Sequence, residues 1–240
     1  MANSLLTRRQ LFRSAKIAND NQRYKDAINY MNDLVTKYVS LTSELTKKER
    51  NMLSGAYENF IGPLRSAWQT VSTLDRDGEF LKGHNPMRAR QIAQDYRTRL
   101  EAEISKVCNV ILKLLDEILI PSASSSESKV LYLKMEGDYK RYLVDFKVGV
   151  KDRTLAAVRA KLAYETAEKI ALADLRPLHP MRLGVALNFS AFFRDVLNES
   201  EAARTKAKVA LSDAVEDMMD SLRDEESKHI MQLLRENLNL

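Results

Sequence analysis

The chain has 240 residues and a formal net charge of +5, and 45% of its residues are hydrophobic and 30% charged. This composition excludes a disordered or collagen-like chain, because it supplies enough apolar surface for a core. Seven glycines and five prolines are too few for an all-β protein with many tight turns, so we expect an all-α fold. A single cysteine and the lack of an 18-residue apolar run favour a cytoplasmic protein.

Apolar residues recur at helical spacing along nearly the whole chain, and breakers divide it into about nine segments. We predict helices over residues 4–18, 21–40, 46–74, 87–119, 127–150, 152–173, 180–197, 200–221 and 225–239. Two capping boxes, Thr46–Glu49 and Ser124–Glu127, indicate where the third and fifth helices begin. Ile120-Pro121 is predicted to end the fourth helix, and Pro180 suits the first turn of the seventh.

The short connections favour antiparallel neighbours, so we predict one layered helical domain over residues 1–240. No arrangement of residues in it is typical of an enzyme. Cys108 lies in an apolar helical segment, which favours a small buried side chain over a nucleophile. The three histidines lack metal-ligand spacing, and there is no glycine-rich phosphate loop or nucleophile elbow. We therefore expect no catalysis, no metal ion and no cofactor.

Polar residues share one face in three of the predicted helices. The fifth helix has Lys134, Asp138, Arg141 and Tyr142. The seventh has Gly184, Leu187, Asn188, Ala191 and Asp195, and the third has Glu58 and Arg65. A charged face in solvent is one interpretation. The other is a groove in which Arg141 binds a phosphate and Asn188 bonds an extended peptide backbone. Spacing alone leaves both open.

Four segments resemble those of 14-3-3 proteins, in the same order along the chain. They are RNMLSGAY at 50–57, YLKMEGDYKRY at 132–142, HPMRLGVALNFS at 179–190 and IMQLLRENL at 230–238. The resemblance implies a cup-shaped protomer of nine helices, an amphipathic groove and dimerisation through the first four helices. It also implies an adaptor in signal transduction, without enzymatic activity, that binds phosphoserine or phosphothreonine segments of client proteins. Residues 1–119 would supply the dimer interface and part of the groove, and residues 120–240 the rest.

The resemblance carries over to individual positions. It implies phosphate binding by Arg65, Lys134, Arg141 and Tyr142. It implies peptide-backbone binding by Asn188 and Asn237, and a groove wall that includes Leu187, Ala191, Asp195, Ile230 and Leu233. Ion pairs across a dimer would join Arg23 to Glu103 and Asp26 to Arg99, beside Tyr96. Because surface ion pairs contribute little, we expect Leu11 and Ile17 to bury most of the apolar area of that interface.

This chain departs from the family pattern at the phosphate pocket. Glu58 stands where the family has a lysine that contacts phosphate, and Gly55 and Ala191 stand at usual valine positions, which leaves a roomier wall. A charge-assisted hydrogen bond contributes about 1.5–3 kcal/mol, so we expect roughly 10²-fold weaker phosphate binding. The expected partners are phosphorylated clients and a second subunit, identical or different, with no nucleic acid and no membrane.

Two alternatives stay open. One is a structural or regulatory dimer subunit that binds its partners independently of phosphorylation, which Glu58 favours. The other is a helical nucleic-acid binder, for which the net positive charge is the sole indication.

Overall fold

The computed structural model describes residues 6–74, 86–146, 150–218 and 225–238. Within those ranges the chain forms nine α-helices and no β-strand, which confirms the all-α prediction. The helices are α1 (Arg8–Asp20), α2 (Tyr24–Tyr38), α3 (Lys47–Leu74), α4 (Pro86–Leu114), α5 (Ser126–Val144), α6 (Val150–Asp174), α7 (Pro180–Asp195), α8 (Ser200–Met218) and α9 (Glu225–Leu238). None of the described helices is long and apolar enough to cross a bilayer.

The capping box predicted at the start of α3 is confirmed. The Glu49 N–H donates to Thr46 Oγ1 at 3.3 Å, and the Thr46 N–H donates to Glu49 Oε2 at 2.8 Å. The same carboxylate forms an ion pair with Arg8 at 2.7 Å, which ties α1 to α3. Burial alone would raise the pKa of Glu49, but the bonds from Arg8 and Thr46 outweigh burial and lower it.

The predicted start of the first helix at residue 4 lies outside the described residues, but Leu6 and Thr7, which the prediction included, are not helical. Thr7 has extended backbone and caps α1 through a box with Gln10, so the helix begins at Arg8. The predicted continuation of the fifth helix to residue 150 is also wrong, since α5 ends at Val144 and a turn follows. The ends predicted at residues 221 and 239 lie outside the described residues.

The segment between α4 and α5 differs from its prediction in two ways. A π-helical turn covers Leu115–Leu119, and a short helical turn, Ile120–Ser122, follows it, so Ile120-Pro121 does not end the helical path. Proline lacks an N–H, and the first turn of a helix is where that loss costs least. The cap of α5 is Ser125, whose Oγ accepts from the Ser128 N–H at 3.2 Å, so the predicted box at Ser124–Glu127 is off by one residue.

The chain divides into two compact units, Met1–Leu114 and Leu115–Leu240. In the first unit, α1–α4 enclose a core in which Tyr57 donates its hydroxyl proton to Asn32 Oδ1 at 2.8 Å. In the second unit, the rings of Tyr164 and Phe189 stack at 5.3 Å in one core cluster. A second cluster joins residues of α7, α8 and α9 with Leu178, which precedes α7; its buried members include Leu183, Leu211, Met231 and Leu234. The helices of the second unit hold most residues of the candidate site.

Candidate functional site

Polar side chains of α5, α6 and α7 meet at the carboxylate of Asp138 in the second unit. Asp138 Oδ2 accepts from Lys134 Nζ at 2.9 Å, and Oδ1 accepts from the Tyr164 hydroxyl at 2.5 Å. Asn188 Nδ2 lies 2.7 and 2.9 Å from the two carboxylate oxygens. The Asp138 side chain is 7% exposed. Buried and bonded to three side chains, this carboxylate fixes the positions of Lys134 and Asn188.

The charge of Asp138 is stabilised by its neighbours. Burial alone would raise the pKa of Asp138, but the positive charges of Lys134 and Arg141, with the bonds from Tyr164 and Lys134, hold it below its usual value. Burial and the charge of Asp138 raise the pKa of Tyr164. At neutral pH Asp138 is therefore an acceptor with a negative charge, and Tyr164 is a neutral donor.

Arg141 lies one turn beyond Asp138 on α5, and its side chain is 12% exposed. Its Cζ lies 5.1 Å from the ring centroid of Tyr142, and Nη1 lies 4.0 Å from Asp195 Oδ2. Its Nε is buried and has no hydrogen-bond partner among the described residues. Burial alone would lower the pKa of Arg141, but Tyr164, Tyr142, Asp138 and Asp195 together raise it. The guanidinium is thus a charged, buried donor with unused capacity.

Arg194 on α7 joins two of the predicted site residues, and the sequence interpretation missed it. Its Nε and Nη2 donate to the two Asp195 carboxylate oxygens at 2.7 and 3.3 Å. Its Nη1 donates to Asn237 Oδ1 at 2.8 Å, and Asn237 Nδ2 donates to Ser190 Oγ at 3.3 Å. A signal was available, because Arg194 follows Leu187 by seven residues and therefore shares the face predicted for α7.

The predicted apolar wall is partly buried. Leu187 on α7 and Ile230 on α9 pack against the same core cluster, so the structure brings these two together. Ala191 and Leu233 are half-buried as well. Side chains of this kind keep one face on the core and leave apolar surface for a ligand.

Glu58 and Arg65 lie on α3 in the first unit, seven residues apart. The Glu58 side chain is exposed, and its Oε1 accepts from Ser54 Oγ over a long 3.4 Å. Arg65 is half-buried. A Cβ added at Gly55 would meet no atom within 4 Å, in agreement with the open space predicted there.

Cys108 is fully buried on α4, as predicted. Burial raises the pKa of its thiol to about 12, while the charge of Arg65 acts in the opposite direction. The thiol is therefore protonated at neutral pH. Over the described parts of the chain, no group of three or more His, Cys, Asp or Glu side chains is placed to hold a metal ion.

The side chains predicted to form ion pairs across a dimer are accessible in the single chain. Asp26 is half-buried, and the exposed residues among them are Arg23, Tyr96, Arg99 and Glu103. Within the chain, Arg23 Nε and Asp26 Oδ2 pair with each other at 2.6 Å. Exposed pairs contribute about 0–1 kcal/mol, so this pair can exchange partners at little cost.

The two apolar residues predicted for the same interface differ. Ile17 is 65% exposed and has surface left to bury. Leu11 is 0% exposed, so its assignment to an interface is wrong. It lies in the core of the first unit and has no apolar area left for association.

Comparisons with a family model and with curated relatives agree. A family model described as "14-3-3 protein" matches residues 14–240. The 14-3-3-like protein D of Nicotiana tabacum is 49% identical over 238 residues, which is 98% of this chain and 93% of the relative. The 14-3-3-like protein G-BOX factor 14 kappa of Arabidopsis thaliana is 47% identical over 98% of this chain and 94% of its own length. The 14-3-3 protein 10 of Solanum lycopersicum is 46% identical over 98% of this chain and 92% of its own length. The residues matched by the family model include every candidate position named above except Leu11.

Proposed function

The chain belongs to the 14-3-3 family, and from this premise we propose that it binds phosphoserine or phosphothreonine segments of client proteins. Members of this family are adaptors, not enzymes. The observation that carries the proposal is Arg141, which is charged and mostly buried and has an Nε without a hydrogen-bond partner among the described residues. A buried donor left unsatisfied costs free energy, and a phosphate dianion would satisfy it.

The chemistry of the pocket suits a phosphate. A planar guanidinium binds two phosphate oxygens at once, and Tyr142 adds a hydroxyl beside it. Lys134, held by Asp138, adds a second positive charge on the same helix. Arg65 is assigned to the same role by the family resemblance.

The peptide around the phosphate would bind to α7 and α9. Asn188 gives its amide hydrogens to Asp138, which orients the Asn188 carbonyl oxygen as an acceptor for a peptide N–H. Asn237 is held differently, because its Oδ1 accepts from Arg194 and its Nδ2 donates to Ser190 Oγ, which leaves one Nδ2 hydrogen for a peptide carbonyl. An extended backbone needs acceptors and donors of this kind, and the half-buried wall residues would contact its apolar side chains.

The test is calorimetry with one phosphoserine peptide and its unphosphorylated twin. We expect wild type to bind the phosphorylated form selectively. Arg141→Ala should weaken that binding by at least about 30-fold, because truncating one partner of a buried charge pair costs about 2–5 kcal/mol. Arg176→Ala is the matched control, since Arg176 is an exposed arginine that pairs with Asp217 outside the site. Equal binding of the two peptides by wild type would overturn the proposal.

The second candidate function is a dimer subunit that binds its partners without phosphate. The exposed carboxylate of Glu58 favours it, because a negative charge repels phosphate. We propose a dimer with an identical or a different 14-3-3 subunit for either function, through the accessible side chains at the start of α2 and along α4. Binding of the unphosphorylated peptide alone would favour the second function. The single, buried thiol of Cys108 suits the reducing cytoplasm, where we place the protein.

A further inference from the structure

We propose that Arg194 is a positioning residue of this site, which holds the Asp195 carboxylate and so keeps Arg141 available to an anionic ligand. The proposal rests on the phosphopeptide function proposed above. It adds a residue to which neither the family resemblance nor the spacing argument gave a role.

Asp195 lies between two guanidinium groups, and its distances to them are unequal. Both of its oxygens accept from Arg194, at 2.7 and 3.3 Å. Its approach to Arg141 is 4.0 Å, the outer limit of an ion pair. Two-pronged bonding of a carboxylate by one arginine is a strong geometry. Arg194 therefore takes the carboxylate that Arg141 would otherwise bind.

The exposed fractions of the Asp195, Arg194 and Arg141 side chains support the same role for Arg194. Asp195 is 47% exposed and Arg194 is 30% exposed, whereas Arg141 is 12% exposed. A half-exposed carboxylate has room to change its rotamer. If Arg194 is removed, Arg141 is the cation that remains within ion-pair range of Asp195 among the described residues. An ion pair between Asp195 and Arg141 would occupy the N–H donors that a phosphate needs.

Arg194 also changes the charge of the cluster. Lys134, Arg141 and Arg194 are three cations, and Asp138 and Asp195 are two carboxylates, so the five side chains sum to +1. Loss of Arg194 reduces the sum to zero. A net positive charge favours an anion, and a neutral cluster does not.

The experiment is a double-mutant cycle with the phosphoserine peptide. We expect Arg194→Ala to weaken binding by about 5-fold, the upper end of the range for one competing ion pair at a partly exposed site. Asp195→Asn should bind as tightly as wild type or tighter. The double variant should recover to within about 2-fold of Asp195→Asn, because the competing carboxylate is absent. Arg194→Gln repeats the cycle with an uncharged side chain closer in length to arginine, and unfolding curves verify that each variant folds.

Two outcomes would overturn the inference. One is an Arg194→Ala variant that binds like wild type. The other is a double variant as weak as Arg194→Ala, which would mean that Arg194 acts through Asn237 or touches the ligand itself.

A second readout needs no ligand. The NMR signal of the Arg141 Nε–H, assigned by its loss in Arg141→Lys, should shift in Arg194→Ala and return towards the wild-type position when Asp195→Asn is added. An unchanged signal contradicts the inference even where no peptide binds. A wild type that ignores phosphorylation, with the NMR shift still present, contradicts the proposed function alone.

Discussion

The side chains around Asp138 and the segment of α3 around Glu58 differ in how tightly they are held. Asp138 is buried and accepts hydrogen bonds from three side chains on three helices. Glu58 is exposed and accepts one long bond from its own helix, next to open space at Gly55. Two departures from the family pattern, Glu58 and Gly55, thus lie where change costs little stability. Charge at an exposed position can alter ligand affinity without disturbing a core.

The largest expected effect is on stability, and it comes from removing the buried carboxylate of Asp138. Asp138→Ala leaves Lys134 and the Tyr164 hydroxyl without their buried acceptor. Removing one partner of a buried ion pair costs about 3–5 kcal/mol, and we expect a loss of that size in the free energy of unfolding. Denaturant titration measures it. Asp33→Ala is the matched control, because its i,i+4 pair with Lys37 is exposed on both sides, and the cost should stay below about 1 kcal/mol.

The pH dependence of this loss has a definite sign. The pKa of Asp138 is lower in the folded chain than in the unfolded chain. Its ionised form therefore contributes stability that is fully present above the unfolded value, about 3.9, and is lost as the pH falls through the folded value. The stability difference between wild type and Asp138→Asn should shrink in acid. A difference that grows as the pH falls would contradict the role of the charge.

The second-largest expected effect is on ligand affinity, and it comes from Glu58 on α3. Glu58→Lys replaces an exposed anion with a cation, and we expect phosphopeptide binding to become tighter by about 10²-fold. The free energy of unfolding should change by less than about 0.5 kcal/mol, because the position is exposed. Calorimetry and denaturant titration measure the two quantities. Glu58→Gln removes the charge without adding one and should give an intermediate affinity. Equal affinities for all three proteins would mean that position 58 does not act on the phosphate.

The smallest effects come from adding one methyl group in each region. At Gly137, next to Asp138, a Cβ would lie 2.8 Å from the Tyr164 ring, which is fully buried and stacked on Phe189. We expect Gly137→Ala to destabilise the fold by about 1–3 kcal/mol through overpacking. At Gly55 the space is open, and alanine favours a helix by about 0.5–1 kcal/mol. Gly55→Ala should therefore raise the free energy of unfolding. Thermal unfolding of the pair is the measurement, and two changes of the same sign would contradict the comparison.

The features that the sequence predicted correctly are local. The Thr46–Glu49 box needs only residues three apart, and both of its bonds are present. The box at Ser124–Glu127 was misplaced because three consecutive serines, Ser124, Ser125 and Ser126, offer hydroxyls at adjacent positions. Which hydroxyl caps α5 depends on where the preceding turn ends, and a pattern of three residues does not contain that information.

The network of the site could be predicted only in part. Spacing placed Asp138 and Arg141 on one face of α5, and the family resemblance gave Arg141 a role. Tyr164 lies 26 residues from Asp138 along the chain, and no periodicity links them. Leu11 was misassigned for a related reason: helical spacing predicts an apolar face, but not whether that face packs in its own core or against a second chain. Long-range packing decides both.

The buried thiol described above also makes the chain its own reporter of local opening. Cys108 is the single cysteine of the sequence, and it lies in the first of the two units. A thiol held protonated inside a core reacts with a disulfide reagent only when its surroundings open transiently. The labelling rate of the unmodified protein therefore measures the opening free energy of α1–α4 by themselves. Global unfolding followed by circular dichroism reports on the helices of both units. The difference between the opening free energy and the free energy of global unfolding therefore shows how independently the first unit unfolds, without any engineered probe.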